Sequence, residues 1–237
     1  MFFKKKKEPI KLEMYAPVGQ LIDLFPPKPM RENIPDWWTA INIKNIADID
    51  PKIKTVKHCP GFKDLYAQGI GLPLWSDHEI VLDTKQVVEL RWPTTSGQPA
   101  PTSHNLIDQV PGTWPGYINI KFSSPWRFHC DEPIQFVWVQ PVWGQENPQE
   151  FTLVPGIIDF RINKHTNINT LWKLGHKKIT IKAGTIMAQL IPLTDRPLEI
   201  SYHVMDTDTF NKKFAVWDFT LGLAQYAKNK LILRDKN

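Results

Sequence analysis

The stretch from Tyr117 to His165 decides the predicted fold, and its sequence is YINIKFSSPWRFHCDEPIQFVWVQPVWGQENPQEFTLVPGIIDFRINKH. It contains four runs rich in β-branched and aromatic residues, separated by Pro, Gly and Asn, which is typical of short strands with tight connections. Successive strands of this kind predict antiparallel pairing in meander order. The Ser124-Pro125 step is predicted to end the first run, because proline cannot donate a ladder hydrogen bond.

Segments on both sides of this stretch carry the same kind of pattern. HEIVLD (78–83) and KQVVELRWP (85–93) are predicted strands, the second with alternating side chains. IKAGTIMAQLIPL (181–193) is predicted to form two strands joined by a turn at Gly184, and LEISYHVM (198–205) a last strand. The chain is therefore predicted to be mainly β, an antiparallel β-sandwich or jelly-roll-like domain with an N-terminal arm and a C-terminal helix.

The distribution of these patterns predicts three regions. Residues 1–55 are predicted to be a proline-rich arm without a sustained period of either kind. Its apolar side chains are too numerous for a free tail, so we expect it to pack on its own domain or on a neighbouring subunit. Residues 56–205 form the predicted β-sandwich domain. Residues 206–237 are a predicted C-terminal helix with a basic tail, capped by Asp206 or Thr207.

Composition narrows the classes of function. The 21 prolines among 237 residues favour many short strands with rigid connections. The net charge of +5 is small and scattered, which argues against a dedicated nucleic-acid-binding protein. Cys59 and Cys130 lack a CxxC neighbour, which excludes a zinc ribbon and argues against a disulfide framework. With no apolar run of bilayer length and no secretory signal pattern, we expect a soluble, intracellular protein without a membrane partner.

His129 and Asp131 are the sharpest candidate for a metal site. Side chains two residues apart on a strand share one face, as the first two ligands of a facial triad do. His176 or His203 is available as the third ligand, and we take His176 as the candidate. The metal in such a site is iron, and a separate arginine would bind the carboxylate of a 2-oxo acid. This pattern predicts a non-heme iron oxygenase as one alternative.

Aromatic side chains and an arginine form a second set of candidate binding residues, consisting of Trp114, Trp126, Arg127 and Trp143. Aromatic rings provide stacking platforms for sugars and bases. Core packing accounts for most of the ten tryptophans, so we expect one or two of them to be exposed at a subunit interface. The set is therefore compatible with protein contacts or with a carbohydrate-binding module.

Four motifs occur in a specific order, namely CPGFKDLYAQGIGLPLWSD (59–77), KFSSPWRF (121–128), VPGIIDF (154–160) and IKAGTIMAQLIPL (181–193). In this order they resemble an uncharacterised protein family of large tailed phages, mostly those of marine bacteria, and of some bacteria. The resemblance covers about residues 55–200, and it implies a viral protein without an established activity.

We therefore predict a phage-encoded structural or assembly protein, made in the host cytoplasm and located in the virion. It is expected to form an oligomer and to contact neighbouring virion proteins through its arm and aromatic loops. A non-heme iron oxygenase and a carbohydrate-binding module are the alternatives, and no cofactor is expected apart from the iron of the first. Under the leading hypothesis, deletion of residues 1–55 leaves a folded domain that fails to assemble.

Overall fold

A computed structural model of the chain describes residues 7–41, 55–93, 100–104, 114–141 and 151–214. Within these ranges the protein is mainly β, with several antiparallel sheets and a C-terminal helix, which confirms the predicted fold class. The predicted tail beyond residue 214 and the candidate residue Trp143 lie outside the described residues.

Fourteen strands are described, and we number them in chain order. Their bounds are β1 Ile10–Ala16, β2 Lys28–Pro29, β3 Ile70–Pro73, β4 His78–Leu82, β5 Val87–Arg91, β6 Thr102–His104, β7 Tyr117–His129, β8 Gln135–Val139, β9 Phe151–Leu153, β10 Gly156–Asp159, β11 His165–Lys173, β12 Lys177–Ile181, β13 Ile186–Pro192 and β14 Leu198–Val204. The described α-helices are Gly19–Leu24, Asp36–Ala40, Pro60–Tyr66 and Thr207–Lys213, and short 3-10 helices occupy Met30–Glu32 and Val56–His58.

The strands form three sheets. The six-stranded sheet has the order β14-β1-β7-β11-β9, with β6 also paired to β7; the five-stranded sheet has the order β10-β8-β13-β3-β2; and β12-β4-β5 form the third. One hydrophobic core joins all three sheets. The ring of Phe160 lies 5.0 Å from that of Phe128 on β7 and 5.0 Å from that of Phe136 on β8, so it connects the two large sheets. Ile80 of the third sheet belongs to the same core.

The predicted arm contains a central strand of the six-stranded sheet. β1 pairs in parallel with β14 over its whole length and antiparallel with the end of β7. Every second residue from Ile10 to Ala16 is 0% exposed, because IKLEMYA alternates apolar and polar side chains in strand fashion. The boundary predicted at residue 55 therefore does not separate an arm from the core, and deletion of residues 1–55 would remove a strand that has neighbours on both edges.

β7 passes through Ser124 and Pro125 without a turn, so the predicted break is wrong. Its pairing with β11 shifts register between His165 and Asn167, which marks a β-bulge. At a bulge the ladder is locally interrupted, so the missing N–H of Pro125 leaves no hydrogen bond unmade. The strand can therefore extend over 13 residues.

From β7 to β10 consecutive strands alternate between sheets, so the predicted meander order is wrong although the antiparallel pairing is confirmed. β7 and β9 belong to the six-stranded sheet, whereas β8 and β10 belong to the five-stranded sheet. Gly184 does form the predicted turn, with φ of +85°. The strands on its two sides do not pair with each other, since β12 pairs with β4 and β13 pairs with β3 and β8.

The C-terminal helix begins as predicted at a side-chain cap. The carboxylate of Asp206 accepts a hydrogen bond from the backbone N–H of Thr209 at 2.9 Å, which satisfies a donor of the first turn. Across the described ranges, no helix has both the length and the apolar character needed to cross a membrane.

Candidate functional site

Polar side chains cover the outer face of the six-stranded sheet at one end. The register places Tyr15, Arg127 and His165 side by side on β1, β7 and β11. Glu13 lies opposite His129 two residues further along these strands. Directly opposite residues of antiparallel strands point to the same face. These five side chains therefore share the face of the sheet that is turned away from the core.

His129 is the centre of a chain of three side chains, which we call the Asp131-His129-Lys164 chain. Nε2 of His129 lies 2.8 Å from Oδ1 of Asp131, and Nδ1 contacts Nζ of Lys164. A carboxylate only accepts, so Nε2 carries the proton and Nδ1 accepts from the lysine. Burial is the main cause that lowers the pKa of Lys164; Asp131 opposes this shift, and the charge of Lys213 adds to it.

Glu13 connects Tyr15 and His203 beside this chain. The hydroxyl of Tyr15 donates to Oε2 of Glu13 at 2.7 Å, and Nε2 of His203 lies 3.9 Å from Oε1. The rings of Tyr15 and His203 stack with centroids 4.9 Å apart. Burial and the hydrogen bond to Glu13 raise the pKa of Tyr15 to about 12. Tyr15 therefore stays a neutral donor at physiological pH and holds the Glu13 carboxylate in place.

Arg127 lies beneath the C-terminal helix and is 9% exposed, with its guanidinium carbon 5.4 Å from the ring centroid of Phe210. Nη1 donates to the backbone carbonyls of Ser124 at 2.7 Å and Trp126 at 3.0 Å. Desolvation lowers the pKa of Arg127 to about 10, so the side chain remains charged at neutral pH. Burial and the charge of Arg127 lower the pKa of His165 to about 4. The candidate binding residue Arg127 thus supports the helix and is not an exposed ligand contact.

A cleft of about 580 Å³ adjoins this polar face. Its charged and titratable lining residues are the carboxylates of Glu8, Glu13, Asp131, Glu132 and Glu199, the cations Lys11 and Arg196, and His129. Arg196 donates two hydrogen bonds to Glu132, so its charge is already paired. The cleft therefore carries an excess of negative charge, which favours uncharged or cationic ligands over anions.

The predicted metal ligands do not converge. Asp131 and Lys164 engage both ring nitrogens of His129, which leaves neither nitrogen lone pair for a metal. His176 lies in the turn before β12, where its charge acts on Asp83. Among the residues that the structure describes, His, Cys, Asp and Glu side chains do not form a group of three able to hold a metal ion. The iron alternative therefore has no support from the geometry of this face.

The candidate aromatic residues lie in different environments. Trp114 is 48% exposed, and its ring meets that of Tyr117 edge-on at 5.8 Å. Trp126 is 0% exposed and packs in the core, so its side chain is not accessible at the surface. Its burial follows from the extension of β7 through Pro125, which turns the indole inward. Trp114 and Trp126 therefore do not form a common platform.

Two short helices of the chain pack together through aromatic rings. The ring of Trp38, in Asp36–Ala40, stacks on that of Phe62, in Pro60–Tyr66, with centroids 5.7 Å apart and planes within 7°. Gln189 of β13 is 0% exposed and donates from Nε2 to the backbone carbonyls that end the second helix, at 2.7–3.5 Å. The helix pair is thereby fixed to the five-stranded sheet.

Three exposed apolar side chains lie on this helix pair or just before it, and we call them the helix-pair surface. They are Ile34, Trp37 and Leu65, with exposed fractions of 42%, 40% and 41%. The ring of Trp37 rests edge-on against Trp38 at 5.8 Å. The stack of Trp38 and Phe62 thus supports Trp37. Ile34 and Trp37 belong to the region that was predicted as the arm.

Lys164, Glu13 and Tyr15 were missed as functional candidates from the sequence. The alternation of IKLEMYA would have placed Glu13 and Tyr15 on the outer face of a strand. For Lys164 no sequence signal exists, because its contact with His129 joins residues far apart in the chain. Comparison of the chain with protein-family models, with curated proteins and with solved structures found no match.

Proposed function

We propose that the protein is a structural or assembly protein of a tailed phage that binds a neighbouring virion protein through the helix-pair surface. The observation that carries this proposal is the exposure of Trp37 and Leu65 on the two packed helices and of Ile34 just before the first helix. Contiguous exposed apolar side chains on a soluble protein mark interaction sites. The order of the four sequence motifs, which resembles a phage family, supports the viral origin.

A protein partner fits this surface better than a sugar. Protein interfaces are enriched in tryptophan and centred on apolar side chains, with a polar rim. Here the rim is supplied by exposed charged residues of both helices, including Asp36, Lys63 and Asp64. The Trp38 and Phe62 stack holds the surface in one conformation before binding, which lowers the entropy that binding costs.

The proposal also places the protein in the virion as part of an oligomeric assembly. Mass spectrometry of purified particles tests this placement, and we expect the protein in a stoichiometric copy number. If the protein is abundant in infected cells but missing from purified particles, the proposed virion role is wrong.

A charged substitution in the surface tests the contact itself. We expect Leu65→Lys to reduce incorporation into particles by at least about tenfold, because it places an ammonium in the centre of an apolar interface at a cost of 1.4 kcal/mol or more. Val88→Lys is the matched control, since Val88 is 58% exposed on β5 in the third sheet. Thermal unfolding is the check that both variants fold. Normal incorporation of folded Leu65→Lys would contradict the proposed contact.

A further inference from the structure

Lys164 occupies an unusual position for a lysine. It is only partly exposed and lies immediately before β11, and in the described part of the chain no carboxylate lies within 4.0 Å of its Nζ. Its contact is instead with Nδ1 of His129, an uncharged acceptor. Lysines on protein surfaces are ordinarily solvated or paired with carboxylates, so this environment disfavours the charged ammonium.

Within the Asp131-His129-Lys164 chain, Asp131 fixes His129 as a proton acceptor. Asp131 holds Nε2 at 2.8 Å and so keeps the proton on that nitrogen, while Nδ1 presents its lone pair to the lysine. A nucleophile within hydrogen-bond reach of a base, which is itself oriented by a third group, is the general geometry of an activated nucleophile. Desolvation and a nearby cation both favour the neutral, nucleophilic amine of a lysine. Both act on Lys164, where the nearby cation is Lys213.

We propose that Lys164 is a nucleophilic amine that forms an imine with small uncharged aldehydes, with His129 as its base and Asp131 as the residue that positions the base. The neutral amine attacks the carbonyl carbon, and His129 Nδ1 accepts the first proton from nitrogen and returns it to the former carbonyl oxygen, which gives the neutral carbinolamine. Nδ1 then accepts the second proton from nitrogen and delivers it to the departing hydroxyl group, so that water leaves and the C=O bond is replaced by C=N. One water is released, and no oxidant or reductant takes part.

The adjoining cleft determines the class of carbonyl compound. His129 and Asp131 both line this cleft, so a compound bound there lies next to the Asp131-His129-Lys164 chain. Its excess of carboxylates, including Glu13 and Glu199, repels the carboxylate of an oxo acid. Uncharged aldehydes therefore fit this site better than 2-oxo acids do.

Reductive alkylation of the full-length protein with propanal and sodium cyanoborohydride at pH 7 tests the proposal. Peptide mass spectrometry gives the rate of alkylation at each lysine, and Lys85, exposed in the turn between β4 and β5, is the internal reference. We expect Lys164 to react several-fold faster than Lys85, because burial lowers the pKa of Lys164 and so raises its share of neutral amine at pH 7. The rate at Lys164 should also level off at a lower pH than is usual for a lysine, because burial lowers its pKa.

Two variants separate activation from mere accessibility. His129→Gln removes the base, and Asp131→Asn, at a side chain that is 92% exposed and so tolerant of exchange, removes its positioning charge. Both are expected to slow Lys164 several-fold, with the Lys85 rate unchanged. Asp131→Asn also removes a charge that raises the pKa of Lys164, so the pH profile of Lys164 should shift downward in this variant. The proposal is overturned if Lys164 and Lys85 react equally fast in the unaltered protein, or if Asp131→Asn leaves the Lys164 profile as it was.

Discussion

Leu12→Ala should destabilise the protein by about 2–5 kcal/mol, because β1 is a core strand. Leu12 is 0% exposed, and alanine removes three carbon atoms, which corresponds to about 2.4 kcal/mol of lost transfer free energy. The cavity that remains adds to this loss, since β1 is held by β14 and β7 on its two edges and cannot move inward freely. Such a loss is a large fraction of the 5–15 kcal/mol typical of a domain.

Urea unfolding followed by tryptophan fluorescence measures this loss, with Lys11→Ala as the control. Lys11 is the neighbouring residue on the opposite, exposed face of β1, and its replacement should change the free energy of unfolding by no more than about 0.5 kcal/mol. Equal effects of the two substitutions, or an effect of Leu12→Ala below about 0.5 kcal/mol, would refute the placement of β1 in the core.

Three further predictions concern the same framework. A variant lacking residues 1–16 should show no cooperative thermal transition by circular dichroism, because the six-stranded sheet loses a central strand; a sharp native-like transition would count against this. Gln189→Leu should cost about 1–2 kcal/mol and speed proteolysis near residue 65, since buried backbone carbonyls lose their donor; unchanged proteolysis would contradict it. His165 has a folded pKa of about 4, below its ordinary 6.5, so between these values the unfolded chain binds a proton that the folded protein does not. The free energy of unfolding should therefore fall as the pH drops from 7 to 4.5. In His165→Gln this loss should be smaller than in the unaltered protein by about 2 kcal/mol. Equal losses in the two proteins would show that His165 does not contribute.

Local patterns identified several of the strands but not their partners. HEIVLD and VVELR alternate as strands do, and both are strands in the structure. The turn at Gly184 was also predicted, because a glycine between two apolar runs permits a positive φ. The pairing of strands depends on burial across the whole core. For this reason the two strands on either side of Gly184 belong to different sheets.

The candidate site was predicted only in part, because some of its contacts join residues that are far apart in the sequence. The spacing of His129 and Asp131 predicted that their side chains share one face, and in the structure Nε2 of His129 lies 2.8 Å from Oδ1 of Asp131. Lys164 reaches His129 only because β7 and β11 are neighbours in the sheet. Proline at position 125 suggested an early end of β7, and the bulge that accommodates it could not be inferred without knowledge of the partner strand.

The pairing of β1 with β14 has a consequence for biosynthesis. Ile10 pairs with Leu198, so the six-stranded sheet cannot be completed until the chain from Ile10 to Leu198 has left the ribosome. At about 5–20 residues per second this is a delay of roughly 10–40 s, during which the apolar side of β1 is without its final neighbours. Contacts this distant in sequence also slow folding after release. The nascent chain is thus expected to depend on chaperones, and co-expression of a ribosome-associated chaperone should raise the soluble yield.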